Sequence, residues 1–323
     1  MTIRKRPLGH TGLLVSEIGF GTWGVGADAW KGGTDSDSLA AMQRAIELGV
    51  NFIDTAIVYG SGHSEKLVGQ IKRDYPEVTI ATKINPANWE WPAQDSTAAD
   101  DAFSAEHVIA RTEESLRNLG IETIDVQQFH VWSDSWVGQG TWIDGIERLK
   151  HDGKIRFFGI SVNDAQPDSV LKLVETGLVD TVQVIYNIFD QAPEDNLFPA
   201  CERNDVGVIV RVPFDEGALT GKVTPDTVFE EGDFRADYFK DNRKTEVWEE
   251  VQKIAADLEI PLEGLPEIAL RFCLAPDVVS TVIPGMRSVR HVESNVAAGE
   301  AGPLSPEQVA KLRPHRWVHD WYH

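Results

Sequence analysis

The strongest constraint on this chain is a regular exchange of short apolar runs with amphipathic ones, nearly from end to end. Eight runs read as strands: Ile18–Gly21, Asn51–Asp54, Val78–Lys83, Val126–His130, Arg156–Ser161, Thr181–Asn187, Gly207–Val212 and Val279–Pro284. Between them the apolar residues recur at helical spacing. Ser38–Leu48 carries Leu39, Met42 and Ile46 on one face, behind Asp and Ser caps, and stops at Gly49. Glu106–Leu119 carries Val108, Thr112, Leu116 and Leu119, with Ser104 as cap and Gly120 as stop. Trp142, Ile146 and Leu149 repeat the pattern before Gly153. Seven of the eight strands are thus reached through a helical crossover, the rhythm of an α/β chain folded as a (β/α)8 TIM barrel. A doubly wound open sheet is the alternative with the same alternation. Two additions stand outside the repeat. Ile3–Leu8 and Leu13–Ser16 flank His10-Thr11-Gly12 as an N-terminal hairpin, and the charged loop Asp226–Lys244 leads into an extra helix, Thr245–Leu258, before the last βα unit. No linker interrupts the series, so residues 1–323 read as a single domain.

The formal net charge of −21 sets such a surface against nucleic acid and anionic membranes. Cys201 and Cys273 lie far apart in apolar helical settings and read as buried free thiols, with no metal site between them. The N-terminal MTIRKRPLGHTG is basic but has no apolar run behind it, and no stretch approaches the roughly 18 apolar residues of a membrane span. The expected location is the cytoplasm.

IGFGTWGVG, residues 18–26, contains G-x-G-x-x-G at Gly19, Gly21 and Gly24, the dinucleotide fingerprint in its literal form. That fingerprint needs a strand before it and a helix directly after it. The strand is present, but VGADAWKGGTDSD follows, with no apolar period. The stretch therefore reads as the first barrel strand running into its loop, on the face where such barrels keep their active sites.

Polar residues at the C-terminal ends of barrel strands point to chemistry. Asp54 ends NFID, Tyr59 follows in AIVYGSG, Lys83 ends VTIATK and His130 ends VQQFH. Taken singly they read as a turn cap, a loop aromatic, a strand-end charge and a core imidazole. Together at one rim they make a proton-donating site. An ammonium beside a phenol favours the phenolate and lowers a pKa that is otherwise about 10. Asp54 would orient Lys83, and His130 would steady a developing alkoxide. Carbonyl reduction, with hydride from a nicotinamide and a proton from Tyr59, fits that set.

The chain resembles the aldo-keto reductases. The likeness runs through LGHTGLLVSEIGFGTW, DTAIVYGSGHSEKLVG, TKI, FHVWSD, GKIRFFGIS, VQVIYN, VPFDEGALTGK and IPGMRSVRHVESN, in order over nearly the whole chain. It implies a catalytic tetrad of Asp54, Tyr59, Lys83 and His130 and an extended NADP(H) or NAD(H) bound on the barrel. It implies that Thr22 and Trp23 line the nicotinamide pocket, and that Ser161, Asn163 and Gln183 hold the carboxamide. Arg211 stands where many members stack a tyrosine on the nicotinamide. Pro213, Phe214, Gly217, Leu219, Gly221 and Lys222 belong to a loop laid over the pyrophosphate. GALTGK is one residue short of a P-loop, and Val223 stands where its Ser or Thr would be. Gly285, Arg287, His291 and Asn295 would meet the adenosine end, and Arg287 favours NADP(H) over NAD(H). Five tryptophans, Trp23, Trp89, Trp91, Trp132 and Trp136, fall just past strand ends, and Trp23 and Trp89 are expected to line a pocket for small-molecule carbonyl compounds. Two rivals remain at this level: a cofactor-sensing subunit like those of potassium channels, and a metal-dependent barrel hydrolase, which would need a His-x-His ligand set.

Overall fold

The computed structural model describes residues 3–26 and 33–322. Lys5–Pro7 (β1) and Leu14–Ser16 (β2) pair antiparallel as the expected hairpin, turning through Gly9–Thr11. Eight strands then follow: Phe20–Gly21 (β3), Phe52–Asp54 (β4), Thr79–Ile84 (β5), Ile124–Phe129 (β6), Ile155–Ser161 (β7), Thr181–Ile185 (β8), Gly207–Arg211 (β9) and Val279–Val282 (β10). Each pairs in parallel with its neighbour in chain order. Bridges from Ile18 to Val282 and from Gly21 to Gly285 join the first strand to the last, so the sheet closes as a (β/α)8 barrel rather than an open sheet.

The hairpin stops the N-terminal end. Its Leu8 and Val15 form one buried cluster with Phe52, Ala81, Val126 and Ile209 of the barrel strands and with Ile283 just past β10. Gly9 lies so close to the start of β9 that an added Cβ would sit 2.3 Å from the Gly207 nitrogen. The chemistry is left to the other end.

The helices follow the expected stripes. Ala105–Leu119 starts at Ser104, whose hydroxyl accepts from the His107 N–H, and ends at Gly120 with φ 65°. Asp35–Glu47 begins earlier than expected. Thr34 is the cap, and Asp35 and Asp37 occupy the first turn, where negative charge is favoured. The loop 226–244 is not wholly irregular: Asp233 caps a short helix, Phe234–Tyr238, ahead of the extra helix Arg243–Asp257. Cys201 and Cys273 are both buried and free.

Glycines of the IGFGTWGVG stretch have a packing reason. A Cβ on Gly19 would meet Phe52, Thr281 and Ile283 side chains at 3.0 Å. One on Gly21 would come 2.6 Å from the Ile283 carbonyl oxygen, and one on Gly26 would come 2.7 Å from the Gly60 nitrogen. They let the first strand close against the last and against the Tyr59 loop. A one-turn helix, Trp23–Val25, follows, while residues 27–32 of the expected irregular stretch lie outside the described residues.

Candidate active site

Asp54, Lys83 and His130 arrive at one rim because β4, β5 and β6 are adjacent and parallel and each ends there. The Lys83 ammonium is fully buried and donates to Asp54 Oδ1 at 2.5 Å, to the Thr55 carbonyl at 2.9 Å and to the Tyr59 hydroxyl at 3.3 Å. Its Nζ stands 5.0 Å from the centre of the Tyr59 ring. The Tyr59 and His130 rings meet edge to face at 5.9 Å. The residues that sequence reasoning brought to one rim are therefore in mutual contact.

Charge states follow from this packing. Burial opposes the Lys83 charge, but Asp54 and Tyr59 outweigh it and hold the ammonium above its usual pKa. Burial, then Lys83 and Arg211, keep His130 neutral. Its Nδ1 is buried with no partner among the described residues. At Tyr59 two effects oppose each other. Burial raises its phenol above the usual value, and the pull of Lys83 only partly offsets this, so the group is held protonated.

Several residues expected to meet the cofactor also brace the site. Gln183 and Gln128 both donate to Asp54 Oδ2, at 2.8 and 3.3 Å. Thr22 is buried, donates to the Asp54 carbonyl and accepts from Ser64. Asn163 spends its amide on Trp132, Ala93 and Gln166, stitching two loops together. Ser161 ends β7 in register with Gln183. Gln128 was missed by sequence reasoning, although VQQF, two amides inside a buried strand, carried the signal.

Arg211 ends β9 and donates to Asp164 at 2.6 Å and to the Val162 carbonyl at 2.9 Å. Burial works against its charge, and Asp164 more than compensates. Beyond it Pro213 and Leu219 are buried, Phe214 is half-buried, Gly217 and Gly221 have φ of 109° and 67°, and Lys222 is exposed.

The tryptophans divide. Trp132 and Trp136 are buried against each other and against Trp142 and Phe103, so they are core and not pocket, because their loops fold back onto the barrel. Trp89 is 63% exposed. Trp91, with its ring 4.9 Å from His130, holds the place beside the tetrad. Trp23 packs on Phe234 at 5.1 Å.

The residues expected at the adenosine end gather positive charge. Lys222, Arg287 and Arg290 all bear on His291, a concentration of positive charge in a chain of net charge −21. The Arg287 side chain runs along Gly24, where a Cβ would stand 2.7 Å from its Cδ. Asn295 is buried, and its amide nitrogen has no partner among the described residues. A Cβ on Gly285 would meet nothing within 4 Å, so backbone can be approached there. Among the described residues no group of three or more His, Cys, Asp or Glu is arranged to hold a metal ion, and no helix is long and apolar enough to cross a membrane.

The C-terminal rim of the closed parallel barrel thus holds a buried Asp54–Lys83 ion pair, with the half-buried Tyr59 and His130 against each other beside it. The model of the Aldo/keto reductase family matches residues 17–316, and the chain belongs to that family. It is 31% identical over 313 residues to the NADH-specific methylglyoxal reductase of Escherichia coli (strain K12), covering 92% of this chain and 93% of that one. It is 31% identical over 307 residues to the L-galactose dehydrogenase of Arabidopsis thaliana, covering 92% and 88%. An aldo-keto reductase of Bacillus halodurans in its holo form superposes with a TM-score of 0.76 at 28% identity, covering 97% of this chain and 96% of that one. These relatives are named as reductases and dehydrogenases and lend no support to the regulatory reading.

Proposed function

We propose that the chain reduces small aldehydes and ketones to alcohols, with Tyr59 as the proton donor and NADP(H) preferred over NAD(H). The observation that carries this reading is the buried Lys83 ammonium bound at once to Asp54 and to the Tyr59 hydroxyl. The nicotinamide supplies hydride when bound. The protein's own groups supply the rest. Tyr59, held protonated, gives its proton to the carbonyl oxygen, and Lys83 steadies the phenolate left behind. The neutral His130 donates a hydrogen bond to the same oxygen. Asp54, fixed by Gln128 and Gln183, holds the lysine in place. Arg287 and Lys222 would meet the cofactor phosphates, Asn295 the adenine and Trp23 the nicotinamide edge. Trp91 beside His130 gives the pocket an apolar wall.

The test is loss of the reduced-nicotinamide absorbance with NADPH and NADH in parallel, against methylglyoxal and aromatic and aliphatic aldehydes. Relatives carry both cofactor preferences in their names: the Escherichia coli enzyme is NADH-specific, and a Schizosaccharomyces pombe relative, 27% identical over 328 residues, is named for NADP(+). Arg287→Ala therefore decides. It should weaken NADPH binding about tenfold or more, a charge-assisted contact, and leave NADH within about twofold. Equal losses would assign Arg287 no part in cofactor choice.

The direction of the reaction should depend on pH with a defined sign. A phenol whose pKa lies above its ordinary value is protonated throughout the neutral range. Carbonyl reduction should hold its kcat from about pH 6 to 9. Alcohol oxidation needs the phenolate and should climb with pH across that range. Oxidation that is level from pH 6 to 9 would contradict the assignment.

A further inference from the structure

The loop after β9 carries a cluster that this chemistry does not use. Its backbone is left-handed at Val212 (φ 56°), Asp215 (46°), Glu216 (53°) and Gly217 (109°). Only glycine adopts that region freely, so the other three positions are strained and need outside support. The support is visible. Asp215 and Glu216 are both buried, at 4% and 6% exposure. The Tyr238 hydroxyl donates to Asp215 at 2.8 Å, and the Tyr322 hydroxyl donates to Glu216 at 2.5 Å. His319 stands 3.3 Å from the same Asp215 oxygen. These partners come from the short helix Phe234–Tyr238 and from the C-terminal tail. Rings seat the tail: Trp321 lies 4.0 Å from His319 and 5.5 Å from Tyr238, and Tyr322 lies 5.1 Å from Tyr238. Phe234 in turn packs on Trp23, so helix and tail meet beside the mouth of the barrel.

We propose that Glu216 and Tyr322 form a proton-linked latch, in which the loop closes with Glu216 as the neutral acid and opens as that acid ionises. Closure buries the carboxyl, and burial raises it to about 8. The groups facing it divide: Tyr322 and Arg211 favour the ionised form, and Asp215 and Asp164 oppose it. Opening returns the side chain to water, where a glutamate ionises near 4.3. Between those limits each opening releases one proton to solvent, so the opening constant should rise about tenfold per pH unit. It should be level below the lower limit and level again above the upper one. His319 acts in the same sense and steepens the rise above its ordinary pKa of about 6.5. Burial opposes its charge, Asp215 and Asp190 favour it, and its neutralisation at higher pH removes the ion pair to Asp215. In the proposed function this loop lies over the cofactor, so the latch would time cofactor exchange; that consequence rests on the functional reading, but the latch does not.

The test is hydrogen–deuterium exchange of peptides spanning residues 213–221 in the ligand-free full-length protein, at pH 5.5 and 7.5, corrected for intrinsic exchange. The wild-type opening constant should rise by on the order of a hundredfold between these two values. Glu216→Gln, which keeps an acceptor for Tyr322 but cannot ionise, should abolish most of that rise. Tyr322→Phe should increase opening at both pH values and keep the slope. A wild-type loop whose opening ignores pH overturns the latch, as does an undiminished slope in Glu216→Gln or unchanged opening in Tyr322→Phe. Peptides from β6 report the global fold in each variant, and if Glu216→Gln does not fold, the wild-type slope and Tyr322→Phe still decide.

Discussion

Tyr59→Phe should lower kcat for carbonyl reduction by about 10² to 10⁴, the usual worth of a positioned general acid, while cofactor affinity stays within about twofold. The substitution deletes one oxygen and keeps the ring that meets His130 edge to face. It removes a hydroxyl that accepts from Lys83 at 3.3 Å, but the ammonium keeps Asp54 and the Thr55 carbonyl as partners. No buried charge is stranded, so the fold should hold. Single-turnover kinetics and a cofactor titration separate the two effects. A variant that turns over as fast as the wild type would remove Tyr59 from the chemistry.

Lys83→Met should strike both activity and stability. It leaves the Asp54 carboxylate at 2% exposure without its cation. Breaking one side of a buried pair costs about 3–5 kcal/mol, because the remaining charge is uncompensated. Gln128 and Gln183 still donate to Asp54, which favours the lower end of that range. Adding Asp54→Asn removes the stranded charge and should recover most of the stability in chemical denaturation, but none of the turnover. Recovery of turnover in the double variant would mean that Lys83 matters only for folding.

How much of this was legible in the sequence depended on range. The strands and the helix Ala105–Leu119 with its Ser104 and Gly120 ends were readable because period, cap and stop are local signals. The meeting of Asp54, Lys83 and His130 was readable because a parallel barrel brings all strand ends to one rim, whichever residues lie between. Pocket walls were not. Trp132, Trp136 and Trp91 all stand in loops after strands, and only the path of each loop decides which reaches His130. The downward pull of Lys83 on the Tyr59 phenol was legible because the lysine is visible in sequence, and the larger upward effect of burial was not. The pairing of Glu216 with Tyr322 spans 106 residues and leaves no mark in either neighbourhood. That the Asn163 amide joins the loops of Ala93, Trp132 and Gln166 shows only in the tertiary contacts.

The measurement that bears most directly on the central claim is isotope transfer. Wild-type protein is mixed with NADPH carrying deuterium at the transferable C4 position and an aldehyde that it turns over, and the alcohol is analysed by mass spectrometry. Hydride transfer at this site predicts one deuterium on the carbinol carbon of each product molecule. Product without that deuterium under either C4 label, or no alcohol from any carbonyl compound with either nicotinamide, would contradict it.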